Sequence, residues 1–136
     1  MGQYLTFRVA RRDFAMDAGR VRALLPAHDM VPLETPSGYI LGFSSLRGVE
    51  FPVIDLPRKL RIASGAQGRE PYIIAVDVAS PHGGQIVGFI ADRLSDVVTI
   101  REHDIREGVL HAHGRPRRVF DPDVLADEWI LAGNEK

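Results

Sequence analysis

The sequence contains no cysteine, which excludes a disulfide framework, a thiolate metal centre and a thiol nucleophile, and is compatible with the cytosol. Net charge is nearly absent as well. The 17 basic and 18 acidic side chains leave −1, so no global field draws the protein to nucleic acid or anionic lipid, and recognition by charge has to be local. No apolar run approaches the ~20 residues that cross a bilayer; the longest are strand-like pieces such as Tyr72 to Val76. The N-terminus lacks a basic region followed by a long apolar run, so neither a secretory signal nor direct membrane insertion is expected. There is no Gly-x-Ser-x-Gly elbow and no Walker or dinucleotide loop, and Gly83-Gly84 reads as a hairpin turn. Catalysis has no positive support in these residues.

What is present suits one small globular domain. A chain of 136 residues holds one cooperative core, and 45% apolar with 26% charged residues fills such a core and leaves a charged shell. Leu5, Phe7 and Val9 alternate with Tyr4, Thr6 and Arg8, the period of a strand with one buried face. A hairpin turn is expected over Arg11 to Asp13, with Phe14 to Met16 returning. Asp17 is a candidate cap for a short turn to Arg20, and Val21 to Leu25 follows as an apolar run closed by Pro26. Pro32, Pro36 and Gly38 predict an irregular stretch; Tyr39 to Phe43 and Val49 to Ile54 predict buried strands. Residues 63–69 form the clearest predicted loop. Tyr72 to Val78 and Ile86 to Asp92 predict a hairpin across residues 81–84. Val97 to Ile100 favours a further strand, and Asp121-Pro122 the start of a short helix. Short strands without long helices argue for small antiparallel barrels or a sandwich.

Ser45 to Leu60, SLRGVEFPVIDLPRKL, is the most informative stretch. Gly48 permits an unusual backbone angle. Val49, Phe51 and Val53 share a strand face, and Pro52 removes a ladder donor, which predicts an edge or bulged strand. Asp55 can cap the turn from Leu56 to Leu60, where Pro57 suits a first helical position. This leaves Arg47 on a glycine-flanked surface turn, able to pair with a partner's carboxylate or, alternatively, to hold the turn through an internal salt bridge.

Other candidate groups have structural readings beside functional ones. Asp55, Asp77, Asp92 and Asp96 could be paired carboxylates, but each lies by a strand or turn where aspartate accepts from backbone donors, and that reading is favoured. His111 and His113, two apart, would share a strand face and could bind metal together; His28, His82 and His103 sit in polar, turn-like surroundings. Arg115, Arg117 and Arg118, with Arg8, Arg11 and Arg12, could make a patch for an anionic polymer, but lack the interleaved aromatics of a single-strand platform, and a solvated charged face is the simpler account.

Leu46, Arg47, Gly48, Pro52, Val53, Asp55, Leu56 and Leu60 resemble the signature of the CheW-like family, and Gly88, Asp92, Asp96, Val97 and Ile100 resemble its second pattern within Val87 to Ile100. The opening strand, charged turn and return to Val21 fit too, so the resemblance spans roughly Tyr4 to Leu125. It implies a mostly-β fold of two small five-stranded, src-homology-3-like β-barrels, the second trimmed, in a single domain of residues 1–136 with subdomains 15–80 and 1–14 plus 81–125. It also implies a non-catalytic, cytoplasmic adaptor without a cofactor, which couples the cytoplasmic tip of a chemoreceptor to the regulatory domain of a CheA-type histidine kinase. Arg47, Val21, Ala23, Leu46 and Gly48 would be the protein-binding residues, and nucleic acid is not an expected partner. The sequence departs from the pattern at Ser45, which replaces the motif asparagine, at Glu50, which replaces an apolar residue, and at Ala23, where an acidic contact is common. The stretch from Asp104 to Gly114 is also shorter than usual. The alternative function is a small β-barrel that binds metal or an anionic polymer through His111/His113 and the Arg115, Arg117 and Arg118 cluster.

Overall fold

The computed structural model describes residues 2–62, 71–80, 83–112 and 114–126. The chain opens with the hairpin β1 (Gly2–Val9) and β2 (Arg12–Asp17), and Asp17 caps a 3-10 turn, Ala18–Arg20, by accepting from Gly19 N at 2.8 Å. β3 (Val21–Pro26), β4 (Val31–Ser37), β5 (Ile40–Leu46) and β6 (Val49–Ile54) follow, then the single-turn helix α1 (Leu56–Leu60). The long hairpin of β7 (Tyr72–Ser80) and β8 (Gly83–Ala91) leads into β9 (Arg93–Ile100). Three short strands, β10 (Ile105–Arg106), β11 (Val109–Leu110) and β12 (Arg117–Val119), precede a 3-10 turn at Pro122–Leu125.

These strands form two six-stranded sheets, ordered β10-β11-β12-β2-β1-β9 and β3-β7-β8-β6-β5-β4. The mostly-β, two-part architecture is therefore present, with six strands in each part where five were expected and no closed barrel among the described residues. By sheet membership the chain crosses between the parts at Ala18–Arg20 and at Asp92, later than the expected 14/15 and 80/81 boundaries. The cause is local: β2 stays beside β1 and β8 beside β7, each pair an antiparallel hairpin within one sheet.

Both sheets bury both faces. Along β7, Ile74, Val76 and Val78 join Leu5, Phe7, Val9, Phe14 and Met16 of the other sheet, whereas Ile73 and Ala75 point the opposite way onto Phe51 and Val53. Alternate side chains of a strand point to opposite faces, so a strand buried on both must be apolar throughout, as Tyr72 to Val76 is. The first sheet likewise sends Phe14 and Met16 between the sheets and Ala15 onto Ile100 and Leu110. The joint is aromatic. Phe7 lies 5.6 Å from Phe14 and 5.4 Å from Phe89, ring centre to ring centre, and Phe120 meets Phe89 edge-on at 5.2 Å.

Several sequence expectations are corrected. The first hairpin turns at Ala10-Arg11, not over Arg11 to Asp13, because Arg8 pairs with Asp13 and Val9 with Arg12. The proline-rich stretch is strand β4, which holds prolines because it is an edge strand paired only with β5. β6 is interior, not an edge; its pairing with β8 begins at Val53, one residue past Pro52, so that proline owes no donor on that side. The register of its partner β5 shifts between Ile40 and Gly42. Residues 81 and 82 and the 63–69 loop lie outside the described residues.

Candidate protein-binding surface

Two residues join β5 to β6, with Leu46 facing Val49 and Ser45 facing Glu50. Both turn residues have positive φ, Arg47 at 52° and Gly48 at 81°, the type I′ geometry whose twist matches the flanking strands. A Cβ at Gly48 would meet nothing within 4 Å, so the glycine serves the backbone angle and not the space. Arg47 has no such exemption and adopts a conformation that L-residues disfavour by roughly 1–2 kcal/mol. Its side chain is exposed and makes no hydrogen bond or ion pair among the described residues, so the internal salt bridge is not observed there.

Of the remaining candidates, Leu46 and Ala23 both pack against the cluster of Phe51, Val53, Ile73 and Ala75. Val21 packs against the cluster between the sheets. Regular strand spacing would put Val21 and Ala23 on one face; the register shift between them separates the two, with Val21 opposite Val76 and Ala23 opposite Ala75. The structure thus unites Leu46 and Ala23 on one cluster, and turns Val21 away.

The arginines flanking Val21 are engaged. Arg22 pairs with Asp77 at 3.0 Å, and Arg20 donates to the Asp77 carbonyl oxygen and to the Asp123 carboxylate. The Ala79 N–H, at 2.9 Å, and the Arg20 guanidinium hold the Asp123 carboxyl below its usual value. This clasp ties the Pro122–Leu125 turn to the second sheet.

A feature missed in the sequence lies beside the Arg47 turn. Ser45 and Glu50, two departures from the motif, line a shallow cavity of about 270 Å³ with Asp29, Val31, Pro32 and Phe43. Val31 is 71% exposed and Val49, next to the turn, 53%. The pairing that places Ser45 opposite Glu50 follows from a two-residue turn at Arg47-Gly48, so the signal was in the motif once the turn type was fixed.

Three of the four aspartates, Asp92, Asp96 and Asp55, accept from backbone donors, and Asp77 departs from that expectation. Asp92 accepts from Ala10 N at 2.8 Å while its own N–H donates to the Arg8 carbonyl, which pins the strained Ala10-Arg11 turn. Asp96 accepts from Val97 N at 2.8 Å, and buried Thr6 exchanges hydrogen bonds with its backbone where β1 and β9 slip register. Asp55 caps α1 through a long bond to Arg58 N, 3.4 Å, and Asp77 pairs with Arg22. Gly88 fits its tight place: a Cβ there would lie 2.8 Å from the Phe51 ring. His111 is exposed; His113 and His82 lie outside the described residues, among which no group of three or more potential ligands could hold a metal ion.

Both signature stretches thus sit at turns, caps and close approaches that the fold requires, and the comparison with known families can be set beside them. The family model described as a CheW-like domain matches residues 3–122. The chain belongs to the CheW-like family. Similar proteins are the chemotaxis protein CheW of Rhizobium meliloti (strain 1021), 27% identical over 76% of this chain and 64% of its own length, and that of Helicobacter pylori (strain ATCC 700392 / 26695), 30% identical over 76% and 60%. The chain therefore spans less than two thirds of the length of these relatives. The chemotaxis protein CheW of Thermotoga maritima is matched more completely, 27% identical over 93% of this chain and 88% of its own. The scaffolding protein TtCheW from Thermoanaerobacter tengcongensis shares the fold, with a TM-score of 0.75 at 24% identity over 88% of this chain and 84% of that one. Among the described residues no helix is long and apolar enough to cross a membrane.

Proposed function

We propose that this CheW-like chain is a non-catalytic, cytoplasmic adaptor of a chemosensory pathway, which binds the regulatory domain of a CheA-type histidine kinase and the cytoplasmic tip of a chemoreceptor. The observation that carries the reading is the family match over residues 3–122. The exposed Arg47 guanidinium, which has no hydrogen bond or ion pair among the described residues, supports it, because a planar fork of donors on a hairpin turn is a ready partner for a carboxylate. Leu46 flanks that turn and packs, as Ala23 does, on the cluster of Phe51, Val53, Ile73 and Ala75, and Gly48 supplies the second positive-φ residue of the turn. The mechanism is positional: an adaptor that holds receptor and kinase together lets the receptor's state bias the kinase through differential affinity.

The test is binding of the purified chain to its cognate kinase regulatory domain and to receptor-tip fragments by calorimetry. Binding to the kinase domain is expected, and Arg47→Glu should weaken the contact that uses this turn by about tenfold or more, the loss of a charge-assisted hydrogen bond worth roughly 1.5–3 kcal/mol. No association with either partner would overturn the reading.

A further inference from the structure

Away from that turn the fold assembles a second charged feature. Four strands bring side chains into one row across the first sheet: Arg8 on β1 faces Asp13 on β2 on one side and Arg93 on β9 on the other, and β12 runs beside β2 with Arg117 at its start. These residues, with Arg115 and Leu94, line a recess of about 360 Å³. Asp13 is the single carboxylate among the described lining residues, against four guanidinium groups.

That carboxylate is already committed. It accepts from Arg8 at 3.3 Å and from Arg115 at 3.2 Å. Burial pushes Asp13 up, but the hydrogen bonds and positive charges of Arg8 and Arg115 outweigh it and hold the carboxyl below its usual value. Arg117 donates to the Ala112 and Arg115 carbonyl oxygens, 3.5 and 3.4 Å away, which orient it. Arg93 makes no ion pair among the described residues and stands directly across from Arg8. Like charges directly opposite one another on neighbouring strands are destabilising.

We propose that this recess binds a small phosphate-bearing polyanion. An anion seated between Arg8 and Arg93 converts their repulsion into attraction, and guanidinium groups pair bidentately with phosphate. Phosphate is favoured over carboxylate by shape. The cations stand on several sides of the recess, and a tetrahedral group presents oxygens in as many directions, whereas a planar carboxylate offers two.

Inorganic pyrophosphate is the probe, titrated into the full chain by calorimetry at low salt, with citrate as the polycarboxylate arm. Saturable pyrophosphate binding is expected, weaker for citrate and falling steeply with salt. Arg93→Gln, at an exposed position, and Arg115→Gln, which leaves Asp13 paired to Arg8, should each weaken it about tenfold or more, since a charge-assisted hydrogen bond is worth roughly 1.5–3 kcal/mol. Arg11→Gln, outside the recess, should leave it unchanged. Absence of saturable binding, citrate binding as tightly as pyrophosphate, or equal loss in Arg11→Gln and Arg93→Gln would each overturn the proposal.

Discussion

The two sheets should unfold as one unit, and Phe89 is where that can be measured. Its ring is fully buried, 5.4 Å from Phe7 of the other sheet and 5.2 Å from Phe120, which follows β12. Phe89→Leu keeps an apolar side chain of similar reach but removes both ring contacts. Each aromatic pair is worth about 0.5–1.5 kcal/mol beyond area burial, which puts the loss at about 1–3 kcal/mol. A urea slope of about 1–3 kcal/mol per molar for a small protein then lowers the midpoint by about 1 M. Far- and near-ultraviolet circular dichroism should report the same single transition in the parent and the variant. The pairing itself is isolated by adding Phe7→Leu: the double variant should lose less than the sum of the singles by about 0.5–1.5 kcal/mol. Two separable transitions, or additivity within about 0.3–0.5 kcal/mol, the range usual for independent sites, would show that the rings do not join the sheets.

Two further outcomes follow from single residues. Gly88→Ala drives a Cβ to 2.8 Å from the Phe51 ring and 3.0 Å from Ile73, both fully buried, and should cost about 1–3 kcal/mol by overpacking, read as a lower urea midpoint at unchanged slope. The Asp123 clasp predicts acid sensitivity. A carboxyl held below its unfolded value of 3.8 in the native state contributes stability that is complete above that value and lost as pH falls through the folded one. Thermal melts should fall on acidification below about pH 4, near the unfolded aspartate range, and Asp123→Asn should flatten that limb while lowering stability at neutral pH. A limb unchanged in Asp123→Asn would assign the effect to other carboxylates.

Much of the fold was legible because strands announce themselves where burial dictates the pattern. The alternation of Tyr4 to Val9 marks a strand, although Thr6 on its polar face is buried as well, and the unbroken apolar run at Tyr72 marks one buried on both faces. Asp17, Asp55 and Asp121 each read correctly as caps, since a short acceptor before a turn has one economical use. The two- and three-residue strands β10, β11 and β12 were not legible, because so few residues carry no period. Nor was the β3 bulge, which reorients Val21 relative to Ala23 through pairing with β7 and not through any local residue preference. The arginine recess was half visible. Arg8, Arg115 and Arg117 were counted into a basic patch with Arg11, Arg12 and Arg118, but strand pairing brings in Arg93 and leaves those last three outside its lining. Composition can count charges; only register says which of them meet.

The residue that bears on partner binding can be separated from those that bear on folding by the strain at the turns. Three two-residue hairpin turns place a residue other than glycine at positive φ: Ala10 and Arg11, Arg47, and Glu107. At the first, the Asp92 carboxylate takes the Ala10 N–H at 2.8 Å and supplies a local compensation. Arg47 has none among the described residues, and asparagine tolerates the left-handed region better than most residues do. Strain without structural return suggests a return elsewhere, and under the proposed function that is a contact made by the guanidinium. Arg47→Asn should therefore leave the fold as stable as the parent or more stable by up to about 1 kcal/mol, a gain typical of relieving backbone cost, while weakening binding to the partner that uses this turn. If Arg47→Asn instead lowers the urea midpoint and leaves affinity for kinase and receptor unchanged, the arginine belongs to the fold, and the binding surface has to be sought at the cavity that Ser45 and Glu50 share.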